Sequence, residues 1–203
     1  MALADLLWAC PECRAELRLR PARGGELCPA CGVRFRRGPG ALIEAIRPGA
    51  PPAVAPAAAW VDRLPAAWLP EEGRGARRAR VVARFAEGYR AVWRGREYIG
   101  RIERLGPPRP ATLALTDAAL ELELELEPDG AGTHVWPLEA IAAVQPSSST
   151  LQLRVRGGPL VALSFPDSSP RLWEELLQGA LRAFYRRTGR GEIVEFQPRI
   201  AVR

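Results

Sequence analysis

The sequence predicts an α+β chain of two modules: a small β hairpin carrying cysteine knuckles, then an antiparallel β domain closed by a C-terminal helix. Three observations predict it. All four cysteines fall between Cys10 and Cys31, in two Cys-x-x-Cys pairs. Residues 120–127 and 151–155 alternate apolar and polar side chains with period two, the mark of half-buried strands. Residues 172–185 repeat apolar side chains at helical spacing instead. The expected division is 1–47 for the cysteine module, 48–75 for a Pro/Ala-rich linker, 76–190 for the β domain with its helix, and 191–203 for a tail that can add an edge strand.

The cysteine module comes first. Cys10 and Cys13 form one pair, Cys28 and Cys31 the other, with fourteen residues between the pairs. Two residues between thiolates let a tight turn aim both sulfurs at one ion, and two facing turns complete a tetrahedron. Each knuckle has Pro after its first Cys (Pro11, Pro29), and Gly32 suits a left-handed closing residue. Ala15–Arg20 alternates like a strand, 21–25 turns, and 26–29 returns, so a hairpin carries a knuckle at each end. In a reducing compartment such pairs read as metal ligands rather than disulfides. Four thiolates at short spacing favour Zn2+, with iron as the alternative, and leave no open coordination position for catalysis.

The residues Leu6, Leu7, Cys10, Pro11, Cys13, Cys28, Pro29, Cys31, Gly32 and the run Ala41–Ile46 resemble the zinc ribbon of small methyltransferase-activator subunits. The likeness covers about the first 47 residues. It implies a zinc ribbon and a structural Zn2+ held by the four cysteines. On this two-module reading, Cys13→Ser is expected to unfold the ribbon while leaving the β domain folded.

Composition adds a charge pattern. The chain has 203 residues and a net charge of +6, and every basic residue is Arg. Arg74–Arg109 holds eleven Arg against three Glu, whereas Pro110–Ser168 holds two Arg against eight acids, so the chain is electrostatically polarised. The first residues lack the basic region and long apolar run of a secretory leader, and no uncharged apolar run is long enough to span a bilayer. A cytoplasmic protein, peripheral to a membrane at most, is expected. The stretch Arg47–Trp60 is rich in Pro and Ala and reads as an extended spacer, with Trp60, Leu64, Trp68 and Leu69 available to dock.

The basic segment that follows places Val81, Val82, Phe85, Tyr89, Val92 and Trp93 on one face of a helix, with Arg77, Arg78, Arg80, Arg84, Arg90 and Arg94 on or beside the other. Gly88 and Gly95 weaken that helix, and a shorter helix followed by a strand over 97–105 fits as well. These six arginines are the candidate anion- or lipid-binding residues.

In the β domain, Leu120, Leu122, Leu124 and Leu126 alternate with Glu121, Glu123, Glu125 and Glu127, which predicts a strand with one apolar and one acidic face. Residues 133–146 give one or two short strands, and 151–165 a hairpin turning at Gly157-Gly158. Ser169 as N-cap and Pro170 at the first helical position begin the final helix, whose apolar face runs from Leu172 and Trp173 to Phe184 and Tyr185. The segments 113–122, 136–144 and 151–165 and the helix carrying Trp173 resemble the pleckstrin-homology-like superfold, in particular its GRAM branch. That resemblance implies a bent sheet plugged by the helix, and lipid or protein-segment binding.

Catalytic machinery is sparse. His134 is the only histidine, in a strand-favouring context, and no phosphate-binding loop, nucleophile elbow or zincin motif occurs. The expectation is a non-enzymatic binding or adaptor protein with no small-molecule substrate, docking on a protein partner or an anionic membrane surface. A nucleic-acid-associated protein, using Arg14, Arg18, Arg20, Arg34, Arg36 and Arg37 on phosphates, is the alternative, as is an activating subunit of a larger enzyme.

Overall fold

A computed structural model describes residues 2–16, 19–70, 75–125, 132–147 and 149–189. The fold is mostly β, with antiparallel sheets and one long C-terminal helix. The first sheet runs in sequence order through β1 (Arg20–Ala22), β2 (Gly25–Leu27), β3 (Arg34–Arg37), β4 (Leu42–Ile46) and β5 (Ala53–Pro56). A single turn of helix, α1 (Leu3–Leu6), precedes it, and α2 (Ala57–Val61) follows it. The Glu26 carboxylate accepts hydrogen bonds from the backbone N–H groups of Leu3 and Ala4, both at 2.6 Å, so β2 satisfies the otherwise unpaired start of α1.

Residues 53–61 differ from the extended spacer predicted over this region. Trp60 explains why. Its ring meets Phe35 edge-on at 5.8 Å, and its Nε1–H donates to the Ile43 carbonyl at 2.9 Å, so the indole completes the small core of the first sheet. Pro56 is no obstacle, because it ends an edge strand that pairs only with β4. Of the other docking candidates, Leu64 touches both cores, Leu69 packs over Gly179 of the C-terminal helix, and Trp68 stays exposed.

The second sheet contains β6 (Arg77–Arg94), β7 (Glu97–Leu105), β8 (Arg109–Leu115), β9 (Ala119–Leu124), β10 (Thr133–Pro137), β11 (Ile141–Pro146), β12 (Thr150–Val155) and β13 (Leu160–Ser164). Its order is β10-β9-β8-β6-β13-β12-β11, with β7 paired to the far half of β6. Two antiparallel meanders are thus joined through the pairing of β6 with β13. Leu120, Leu122 and Leu124 are buried while Glu121 and Glu123 turn outward, as the alternation predicts. Leu126 and Glu127 lie outside the described residues, as does the tail 191–203 and the edge strand expected there.

Helix α3 (Pro170–Thr188) covers this sheet. Ser169 is its N-cap, accepting from the Arg171 N–H at 3.1 Å, and Gly189 ends it in the left-handed region at φ 66°. Leu172, Trp173, Leu176, Leu177, Ala180 and Leu181 are buried, and Trp173 stacks on Phe165 with centroids 5.7 Å apart. Each buried Leu among them contributes about 1.5–3 kcal/mol, which makes α3 the main lid of the second core.

The basic segment is a strand, not the predicted amphipathic helix. Val81, Ala83 and Phe85 turn toward the core while Arg80 and Arg84 turn to solvent. Val81, Val82, Phe85, Tyr89, Val92 and Trp93 favour a strand, and β8 and β13 offer partners on both sides. Residues at 81, 85, 89 and 93 satisfy a helical period and a strand period alike, because four is close to 3.6 and also even.

The two sheets share a packed junction. Trp8 and Ala9, immediately before the first knuckle, belong to the second core. The Ser169 hydroxyl donates to the Asp5 carbonyl at 2.7 Å in a buried position, and Arg77 of β6 pairs with Glu16.

Candidate metal centre and basic hairpin

The two knuckles are built alike. In the first, Cys10 N–H donates to the Ala15 carbonyl at 3.0 Å and Arg14 N–H to the Cys10 carbonyl at 2.8 Å. In the second, Cys28 N–H donates to Val33 at 2.9 Å and Gly32 N–H to Cys28 at 3.0 Å. The residue after each second cysteine is left-handed, Arg14 at φ 60° and Gly32 at φ 75°. Gly32 is legible in the sequence as such a residue; Arg14, at the equivalent position, is not, since an L side chain is strained there.

The four sulfurs lie within 4.8 Å of one another and can hold a metal ion. Cys10 Sγ is 3.7 Å from Cys31 Sγ, and Cys13 Sγ is 3.8 Å from Cys28 Sγ. A disulfide needs about 2.05 Å. A tetrahedron with metal–sulfur distances of roughly 2.3 Å has edges of about 3.8 Å. The donor set therefore fits a four-thiolate site. Cys10 and Cys28 are buried, whereas Cys13 and Cys31 face solvent.

Local electrostatics separates the thiols. Burial pushes the Cys10 thiol well up, and burial also raises Cys31. Cys13 is lowered, chiefly by its hydrogen bond to the backbone of Ala15. Four thiolates this close repel one another unless a cation sits between them, so the cluster needs its ion to be fully ionised.

The six predicted anion-binding arginines do not form one cluster. Arg77 pairs with Glu16, and its burial lowers the guanidinium pKa. Arg80 pairs with Asp167, which raises its pKa. Arg78 lies between them at the start of β6, whereas Arg90 and Arg94 lie on its far half, which pairs only with β7. A strand advances about 3.3 Å per residue, so Arg80 and Arg94 are separated by roughly 45 Å of strand length. The strand conformation that replaced the helix is the reason.

That far half of β6, with β7, makes a long hairpin of unusual surface. Tyr89, Trp93, Tyr98, Ile99 and Ile102 are all about half exposed or more, five of the nine exposed large hydrophobic side chains among the described residues. Register places Tyr89, Trp93 and Tyr98 on one face and Arg90, Arg94 and Arg104 on the other. Trp93 and Tyr98 meet at 5.3 Å, and the Arg101 guanidinium lies 5.3 Å over the Tyr89 ring. The sequence reading missed this two-stranded arrangement because helical spacing put Tyr89 and Trp93 on one face of a helix with Val81, Val82, Phe85 and Val92.

His134 is exposed on β10, its ring stacked on Trp136 at 5.7 Å and tilted against Phe85 at 5.1 Å. Compared with family models and with curated proteins, the chain matches none. Among the described residues, no helix is long and apolar enough to cross a membrane.

Proposed function

We propose that this chain is a non-enzymatic, two-module binding or adaptor protein. Its four cysteines hold Zn2+ as a structural ion in a zinc ribbon, and its β6–β7 hairpin recognises a protein partner. Two meanders closed by a terminal helix support a PH/GRAM-like reading of the second module. The metal reading rests on the tetrahedral sulfur spacing and on the absence of a nitrogen or oxygen donor among the four ligands.

The observation that carries the recognition reading is the aromatic ladder Tyr89–Trp93–Tyr98. Tyr, Trp and Arg dominate the energetic centres of protein interfaces. The ladder is rigid, since two paired strands hold it, and its rings are already arranged in the free protein. β7 pairs only with β6, so its outer edge is open to strand addition from a partner. The opposite, Arg-bearing face favours a second reading, attachment to an anionic membrane surface; the charged tip Arg94–Glu97 is suited to lying on lipid headgroups rather than to insertion.

Affinity capture with the full chain, compared with a Trp93→Ser/Tyr98→Ser variant, tests the reading. A partner identified by mass spectrometry, purified and rebound by the wild type but at least tenfold more weakly by the variant, is expected. Equal binding by both refutes the hairpin's role. Co-sedimentation with vesicles of anionic and of zwitterionic lipid, in parallel, separates the membrane reading, which requires binding to the first only. Nucleic-acid binding would show as retention that collapses steeply with salt.

A further inference from the structure

The β6–β7 hairpin has a second open edge, opposite the outer edge of β7. Val82 pairs with both Pro110 of β8 and Ser164 of β13, so those two strands lie on opposite edges of β6. β7 continues the β8 edge: Arg109 pairs with Ala83, the Gly106 N–H donates to the Phe85 carbonyl at 2.8 Å, and Leu105 pairs with Ala86. On the other edge, β13 stops at Phe85. From Gly88 to Arg94, about 23 Å of strand, that edge of β6 has no partner among the described residues. The bulge near Trp93 places its extra residue, Ile99, on β7, so it adds none to β6. An open edge presents a row of backbone N–H and C=O groups to any strand that fits it. This one carries no Pro, and Tyr89 and Trp93 stand 63% and 58% exposed on one face.

The segment is complementary to itself. Paired residues of an antiparallel ladder share a face, and faces alternate along a strand, so a two-fold axis between identical strands must pass through one residue. Centring on Arg90 sets Arg90 against itself, and centring on Val92 sets Arg90 against Arg94. Centring on Tyr89 runs into the bulge at Glu87, and centring on Trp93 meets the turn at Gly95, φ 62°, after one residue. Centring on Ala91 uses the whole stretch from Gly88 to Arg94 and opposes no like charges. In that register Tyr89 faces Trp93 of the second copy, and Trp93 faces its Tyr89, while Arg90 faces Val92 and Gly88 faces Arg94. Cross-strand aromatic pairs are among the favourable contacts of a sheet. Trp93 already meets Tyr98 at 5.3 Å within the hairpin, so the rings would run in unbroken rows across both copies.

We propose that this chain forms a two-fold dimer in which the β6 edges pair antiparallel about Ala91, making one four-stranded sheet from two hairpins. The pairing is closed, so it stops at two copies. It goes beyond the partner recognition described above, because it occupies the edge of β6 and leaves the outer edge of β7 for a partner strand. Such a partner meets two hairpins side by side.

Sedimentation equilibrium of the metal-loaded full chain is the test. A monomer–dimer equilibrium with a Kd of roughly 10 µM is expected, in the weak range of a small interface. Ala91→Glu sets two carboxylates against each other at the axis, while within its own hairpin the new side chain faces Arg101, its partner on β7. It should weaken the dimer at least tenfold, with its retained fold checked by far-UV circular dichroism. Ala91→Arg should weaken it likewise. An equimolar mixture of the two variants should dimerise at least tenfold more tightly than either alone, since Glu then faces Arg across the axis. A wild-type chain that stays monomeric at ~200 µM overturns the proposal. So does a dimer that Ala91→Glu leaves unchanged, or a mixture that associates no more tightly than the separate variants. Both variants keep Trp93 and Tyr98, so dimerisation and capture of a foreign partner can fail separately.

Discussion

Replacing Trp8 by Ala probes the junction most directly. The indole is 3% exposed and belongs to the core beneath β6 and α3, although it stands only two residues before the first metal ligand. A buried Trp removes roughly 200 Å² from water, worth about 5 kcal/mol at ~25 cal/mol per Å². Against this stands its unpaired Nε1–H, a cost of about 1–3 kcal/mol that the substitution relieves. The expected net loss is about 3 kcal/mol, and a fall in Tm of roughly 6–12 °C for a chain of this size. Trp8→Phe keeps most of the apolar contact and deletes the unpaired donor, so it should stay within about 1 kcal/mol of wild type. Guanidinium denaturation followed by far-UV circular dichroism, with metal present throughout, measures both; fluorescence is unsuitable because the substitution removes a fluorophore. A Trp8→Ala protein as stable as wild type would refute the placement of Trp8 in the second core. A Phe variant as damaged as the Ala variant would show that the indole N–H has a partner in solution.

Four further outcomes are expected. Stripping the metal, or Cys13→Ser, should lower the melting of the whole chain in calorimetry, because Trp8 and Ala9 carry the loss into the second core; this replaces the independent folding that the two-module sequence reading implies, and an upper transition left unshifted would contradict it. Acidification should weaken metal binding: burial keeps Cys10 and Cys31 protonated in the metal-free site, so binding the ion expels protons and the affinity falls as pH falls. An indicator-dye competition from about pH 8 to pH 5 that gave constant affinity would rule this out. Arg14→Gly should stabilise by about 1 kcal/mol through relief of the left-handed strain at φ 60°, measurable as a shift in denaturation midpoint with unchanged slope. Gly25→Ala should cost more than about 2 kcal/mol, since φ is 148° there and a Cβ would collide with the Phe35 carbonyl oxygen across β2 and β3; a wild-type midpoint would show that the β1–β2 hairpin can shift.

The sequence by itself determined what is local. Cys-Pro-x-Cys spacing sets a knuckle within six residues, Leu–Glu alternation sets the two faces of β9, and Ser169-Pro170 starts α3; each depends on contacts a few residues away. Only the tertiary structure decided the rest. Residues 77–94 satisfy helix and strand periods together, and the partners β8 and β13, far along the chain, chose the strand. Ala-rich residues 53–61 became β5 and α2 because Phe35 and Ile43 offered Trp60 a core to enter. Trp8 looks like part of the first knuckle, yet the space under α3 claimed it. In each case burial of a large side chain against residues distant in sequence outweighed local preference. Periodicity cannot report a competition whose deciding partners lie elsewhere in the chain.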